Sequence, residues 1–137
     1  AASARSAFNL TRSFVMERKV FGKPLSKMQN TEFKMAEMDT EIDIMQTYVD
    51  HCVELHNEGQ LTVNMAAKAK LQATEIEWRM LDLGVQLHGG AGYMMEYPIS
   101  YMFTSARINR ILAGSSEIMK YIIGRDVFSD KYSSILD

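Results

Sequence analysis

Two glycine-containing turns hold the residue types in this chain best suited to grip a ligand. The first, Gln86-Leu-His-Gly-Gly-Ala-Gly-Tyr-Met-Met-Glu-Tyr-Pro98, sets three glycines beside aromatics and a proline, more than a simple helix–helix turn requires. Glycine has no Cβ, so main chain at such a turn can approach a ligand closely. The second, Ala113-Gly-Ser-Ser-Glu117, opens a helical segment. Free backbone N–H groups at a helix start attract anions and polar ligands. The same serine also suits an ordinary N-cap, and taken alone that is the simpler reading.

Other chemistries do not find their residues. A di-iron bundle needs Glu-x-x-His on two helices. No glutamate here precedes a histidine by three, and His51 with Glu54 has the reverse order. His51 and His56 are five apart, which places them on different helix faces. His88-Gly-Gly-Ala91 looks like an esterase oxyanion loop, but the Gly-x-Ser-x-Gly turn and its strands are missing. No Gly-Lys-Ser/Thr follows the glycines, so this is not a nucleotide P-loop. Cys52 falls on an apolar seam and reads as a small core residue. Most of the eleven methionines sit at seam positions and read as core filler.

The segments that position these turns are rich in Ala, Met, Leu, Glu and Lys, all good helix formers. Met35, Met38, Ile42, Met45, Val49 and Cys52 step by three and four, the spacing of one helical face. Ser26 and Gln29 upstream match a capping box, and Asn57-Glu-Gly59 ends the segment. Met65, Ala69, Ala73, Ile76, Met80, Leu83 and Leu87 form a second seam, whose alanines allow a neighbour to come close. A shorter amphipathic helix is expected over 2–20 with Ala7 and Phe14 inward, and two more over 99–111 and 115 to about 128. No strand-length alternation or internal repeat is visible. The expected fold is all-α: an up-down four-helix bundle with one or two additional short C-terminal helices.

The 137 residues amount to one domain, 47% hydrophobic and 23% charged, which excludes a disordered tail and supplies a real core. No apolar run approaches the ~20 residues of a membrane span. A net charge of −2 argues against a dedicated nucleic-acid binder. The lone cysteine closes no internal disulfide and suits a reducing compartment. The N-terminus has no signal-peptide pattern. The chain opens without Met, as a processed protein or a piece of a longer one would. Charge is partitioned along the chain. Residues 1–29 carry six bases against Glu17, residues 30–60 carry eight acids against Lys34, and Arg107, Arg110, Lys120 and Arg125 outnumber Glu117 in the tail. These runs read as solvated faces, or as basic ends that hold an anionic ligand.

Four blocks together resemble the C-terminal helical domain of the acyl-CoA dehydrogenases. They are Arg18-Lys-Val-Phe-Gly-Lys-Pro-Leu-Ser-Lys-Met-Gln29, Gln86-Leu-His-Gly-Gly-Ala-Gly-Tyr93, Glu96-Tyr-Pro98, and Ala113-Gly-Ser-Ser-Glu-Ile-Met-Lys120 with Ile-Ile-Gly-Arg125. Their order and spacing match the family, and the resemblance covers nearly the whole of residues 1–137. It implies the last domain of a three-domain flavoenzyme that oxidises acyl-CoA to trans-2-enoyl-CoA. FAD would be the cofactor, an electron-transferring flavoprotein the electron acceptor, and a homotetramer the usual assembly. A mitochondrial matrix or a bacterial cytoplasm would suit it equally.

The resemblance also implies roles residue by residue. Arg18, Val20 and Phe21 fall where the family contacts the FAD pyrophosphate and adenine end of a neighbouring subunit, and a guanidinium pairs well with phosphate. Val20 replaces a frequent hydroxyl residue, so no side-chain hydrogen bond comes from that position. Gln29 matches a further FAD position. Gln86, Leu87, His88, Gly89 and Gly90 match the glycine loop along the dinucleotide. Ser115 and Glu117 match flavin-side positions, and Gly114 the glycine beside the substrate thioester.

Ala113 is the informative departure. Many relatives place the catalytic glutamate there, and a methyl group takes no proton. The long-chain and isovaleryl branches lack a carboxylate at that position too and supply the base from the helix corresponding to the first one here. That places the expected base just upstream of Ala1, so no catalytic residue and no metal ligand is nominated within the chain. The 137 residues alone are expected to be inert. The alternative reading is a non-catalytic helical interaction module built on the same scaffold, and a flavin oxidase or nitroalkane-type enzyme is a third.

Overall fold

A computed structural model describes residues 1–130 and 132. Among them lie six α-helices: α1 (Ala2–Glu17), α2 (Gln29–Asn57), α3 (Val63–His88), α4 (Gly90–Tyr93), α5 (Pro98–Ala106) and α6 (Ser116–Val127). Short 3-10 turns occupy Leu25–Lys27 and Arg107–Arg110. The expected all-α class holds, with α4 and α5 as the additional short helices.

α3 is the central rod, with α1, α2, α5 and α6 packed around it. Contacts between helices give their directions. Ala4 packs with Ile76 and Met80, and Phe14 stacks on His88, so α1 and α3 run parallel. Arg79 pairs with Glu41 and the Cys52 thiol reaches the Met65 carbonyl, so α2 runs antiparallel to α3. Asn64 bonds Asp126 while Lys70 bonds the Gly114 carbonyl, so α6 is antiparallel too.

The two expected seams meet in the main core, where Ala4, Met38, Ile42, Met45, Ile76 and Met80 pack together. Cys52 is buried, as its seam position required. A second cluster joins Ala7, Leu81, Ile99 and Ala106, and a third joins Ala67, Leu71 and Met119. α3 therefore buries residues on several sides, whereas its sequence showed one seam most plainly. At Gly84 α1 and α5 approach α3 closely: an added Cβ would lie 2.9 Å from both Thr11 Oγ1 and Ile99 Cδ1.

Three local expectations are corrected. The first helix ends at Glu17 instead of reaching position 20, and a minimal antiparallel hairpin follows, β1 (Lys19–Val20) against β2 (Lys23–Pro24). Its two central residues, Phe21 (φ 50°) and Gly22 (φ 78°), both take positive φ, the form of a tight hairpin turn that matches strand twist. Strands of two residues are too short to show alternation. The Ser26/Gln29 capping box does not form, because Ser26 lies in the 3-10 turn and Met28 occupies the N-cap without a side-chain bond. The helix expected over 99–111 is α from Pro98 to Ala106 and then tightens into the 3-10 turn. Asn109 and Arg110, on that tighter turn, hydrogen-bond Glu77 and Glu75 of α3.

Part of the charge partition resolves into surface pairs. Arg5 bridges Asp39 and Asp43, and Arg79 pairs with Glu41. Exposed pairs of this kind contribute roughly 0–1 kcal/mol each.

Candidate functional site

At the C-terminal end of α3 the helix stops because Gly89 turns to φ 61°, where side chains are rarely tolerated. A single helical turn, α4, follows at once. Opposite lies the chain leaving α1, whose Arg18 is extended and leads into the hairpin. Between them is a cavity of about 420 Å³ lined by Phe14, Arg18, Val20, Leu25, Gln86, Leu87, His88, Gly89, Gly90, Ala91 and Tyr97. Sequence positions some seventy residues apart meet here. The fold thus brings together Arg18 and Val20 with Gln86, Leu87, His88, Gly89 and Gly90.

His88 is the buried anchor of this wall. Its ring stacks on Phe14 with centroids 4.1 Å apart, and Tyr97 meets both rings edge-on. His88 Nδ1 lies 2.7 Å from the Gly84 carbonyl oxygen. A carbonyl only accepts, so Nδ1 carries the proton and Nε2 keeps its lone pair. Burial pushes the imidazole below its ordinary value of 6.5, outweighing the Gly84 carbonyl, which favours the charged form. The ring is therefore a neutral, oriented acceptor. Arg18 is exposed and, among the described residues, forms no ion pair. A Cβ added at Gly89 or Gly90 would meet nothing within 4 Å, so the main chain there borders open space.

The second glycine turn sits elsewhere on α3. Ala113 (φ 52°) and Gly114 (φ 90°) are consecutive left-handed residues, and Ser115 then caps α6 by accepting from Ile118 N–H at 3.5 Å. Ala113 is exposed and its methyl bears no acid–base function. The exposed Glu117 carboxyl is held below the usual range, chiefly by a hydrogen bond from Ser115 and also by the charges of Lys120 and Arg110. Two expected residues stand apart from the cavity: Phe21 is 97% exposed at the hairpin tip, and Gln29 is exposed at the start of α2.

Sequence reasoning missed the residues behind these turns. Phe14, expected to face inward, forms cavity wall, and Leu25 and Tyr97 join it. Glu75 and Lys70 support the second turn: Glu75 Oε1 accepts from Arg110 Nε at 2.9 Å and Ser116 Oγ at 2.6 Å, and Lys70 Nζ donates to Gly114 O at 2.5 Å. Nothing in a single sequence signals pairings across 35 to 44 positions. No group of three or more His, Cys, Asp or Glu residues that could hold a metal occurs among the described residues. No helix among them is long and apolar enough to cross a membrane.

Comparison with known proteins agrees with this geometry. The family described as acyl-CoA dehydrogenase, C-terminal domain, matches residues 1–128. The long-chain specific acyl-CoA dehydrogenase of Mus musculus mitochondria is 42% identical over 123 residues, covering 90% of this chain and 29% of that protein. The crystal structure of acyl-CoA dehydrogenase from Geobacillus kaustophilus superposes with a TM-score of 0.91 at 39% identity, covering 93% of this chain and 33% of that one. Butyryl-CoA dehydrogenase from Megasphaera elsdenii gives a TM-score of 0.90 at 31% identity, with the same coverage. The chain therefore spans about a third of the length of the relatives it matches. With its four sequence blocks falling on the cavity and the α6 turn, this chain belongs to the acyl-CoA dehydrogenase family, as its C-terminal domain.

Proposed function

We propose that the chain serves an FAD-dependent acyl-CoA dehydrogenase that converts acyl-CoA to trans-2-enoyl-CoA, contributing FAD contacts, part of the acyl pocket and an oligomer interface. The observation that carries this is the 420 Å³ cavity, which joins the exposed Arg18 guanidinium, without an ion pair among the described residues, to bare main chain at Gly89 and Gly90. Its residues fit an anionic dinucleotide. Arg18 offers a forked donor set for a pyrophosphate. Gly89 and Gly90 let the ligand lie against the backbone, where side chains would stand in its way. Neutral His88 holds the loop's exit from α3 and adds an acceptor at Nε2. Val20 and Leu25 supply apolar surface suited to an adenine.

The flavin, when bound, supplies the two-electron chemistry that no protein side chain provides. This chain's residues do the positioning. Gly114 leaves room beside the thioester, while the Ser115 hydroxyl and Glu117 carboxylate face the flavin side. Ala113 holds no proton, so the α-proton goes to a base outside position 113. The family's tetramer would complete each site by placing the Arg18 and Gln86–Gly90 wall against a neighbouring subunit's dinucleotide. An electron-transferring flavoprotein would take the electrons, in a mitochondrial matrix or a bacterial cytoplasm.

The test is to express the full-length polypeptide carrying this domain, record its visible flavin absorbance and follow dye reduction across a series of acyl-CoAs. Bound flavin and acyl-CoA-dependent reduction are expected. Arg18→Ala should weaken FAD binding by about tenfold or more, because a charge-assisted hydrogen bond contributes about 1.5–3 kcal/mol. A colourless protein that reduces no dye would refute the reading in favour of an interaction module, and rapid oxygen consumption would point to an oxidase instead.

A further inference from the structure

The segment from Ile111 to Ser115 makes an unusual turn with little packing to hold it. Ile111 is 53% exposed and Leu112 47%, and Ala113 is exposed as well, so side-chain burial does not fix the loop. Yet Ala113 sits at φ 52°, a left-handed conformation that is strained for a non-glycine residue and persists only where surroundings impose it. The imposing contacts are polar and come from α3. Glu75 Oε1 takes hydrogen bonds from Arg110, just before the turn, and from Ser116, just after it. Lys70 Nζ seizes the carbonyl of Gly114 in the middle. One carboxylate oxygen therefore closes the base of the loop, and one ammonium pins its crest. Asn109, bonded to Glu77, extends the grip by one more residue.

We propose that Glu75, assisted by Lys70, is a positioning residue that holds the 110–116 turn in the shape that presents Gly114, Ser115 and Glu117 to flavin and thioester. The proposal rests on the functional reading given above. It adds that the aim of these groups is set from the middle of α3 by residues that touch neither ligand. Both oxygen-bound donors bracket the left-handed pair, so releasing Glu75 frees both ends at once. Burial alone would raise the Glu75 carboxyl, but the bonds from Ser116 and Arg110, with the charges of Arg110 and Lys120, bring it below the usual range. The acceptor is thus ionised at neutral pH.

The experiment uses the full-length enzyme with Glu75→Ala, Glu75→Gln and Lys70→Met. The readouts are the FAD dissociation constant on reconstitution of apoenzyme, kcat and KM for an acyl-CoA, the flavin absorption band, and the thermal midpoint. Glu75→Ala should lose about tenfold in FAD affinity and in kcat, the size expected for removing a charged hydrogen-bond partner, with a shifted flavin band and little change in KM. Glu75→Gln keeps an amide oxygen that accepts from both Ser116 and Arg110 and should recover most of the loss. Lys70→Met, similar in length but without the donor, should reproduce the defect and serves as the readout if Glu75→Ala fails to fold. Variants with lowered thermal midpoints but unchanged FAD affinity, kcat and flavin band would reduce Glu75 and Lys70 to structural props and overturn the proposal. A wild-type enzyme without flavin or acyl-CoA oxidation would instead overturn the functional reading, and this proposal with it.

Discussion

Gly84→Ala should destabilise the chain, although the same exchange in an open helix stabilises. Gly84 lies inside α3, where replacing glycine by alanine ordinarily gains up to about 1 kcal/mol. Here the new methyl would stand 2.9 Å from Thr11 Oγ1, 2.9 Å from Ile99 Cδ1 and 3.2 Å from Ile99 Cγ1. Neither neighbour gives way easily. Thr11 is 0% exposed with its hydroxyl donating to the Ala7 carbonyl at 2.8 Å, and Ile99 is 1% exposed. Overpacking of such a site costs about 1–3 kcal/mol, so the net loss should be about 1 kcal/mol or somewhat more once the propensity gain is deducted. Gly124→Ala in α6 is the matched control, because its Cβ would meet nothing within 4 Å and its φ is not left-handed. Urea denaturation followed by far-ultraviolet circular dichroism measures both. Gly124→Ala should move the midpoint upward and Gly84→Ala downward. Equal stabilisation by the two would refute the claim that α1, α3 and α5 depend on a missing side chain at this crossing.

Tyr48 hydroxyl is buried without a hydrogen-bond partner among the described residues, and burial is the main cause that pushes its pKa up to about 12. Tyr48→Phe should therefore be neutral or stabilising by up to about 1 kcal/mol in chemical denaturation, and a clear loss would show that the hydroxyl is bonded. His88 binds its proton more weakly when folded than unfolded, so the unfolded chain takes up more protons below the ordinary value of 6.5. Stability should accordingly fall as pH drops through that value towards the lower folded one. His88→Gln should flatten that part of the pH–stability curve, and an unchanged slope would exclude His88 as its source. Leu81→Ala, at a fully buried position, should cost about 2–5 kcal/mol by the same assay.

The long helices were legible because burial repeats every three or four residues over many turns. Met38, Ile42, Met45, Ile76 and Met80 are core residues as their spacing required. The glycine turns were legible as candidate sites because glycine in quantity has few structural uses, and Arg18 joined them through its place in the family blocks. What stayed hidden was either too short or too distant. The hairpin at Lys19–Pro24 has no room for alternation, and the missing cap at Met28 reflects a start that the Leu25–Lys27 turn displaces. Glu75 and Lys70 carry no local signal of their role, since their partners lie on α6 and the turn before it. Phe14 has the same apolar character whether it faces core or cavity, so only tertiary packing decides its wall position.

Because both glycine turns hang from one uninterrupted helix, their separation has the character of a ruler. From Glu75 to His88 the axis advances about 20 Å, a stiff interval that loop flexibility cannot stretch. Removing one residue between them would shorten that interval by only about 1.5 Å but swing one turn about 100° around the rod relative to the other. A change of length in a surface loop outside this stretch would leave that interval as it is, whereas an insertion or deletion within it would turn the two glycine turns out of their present alignment.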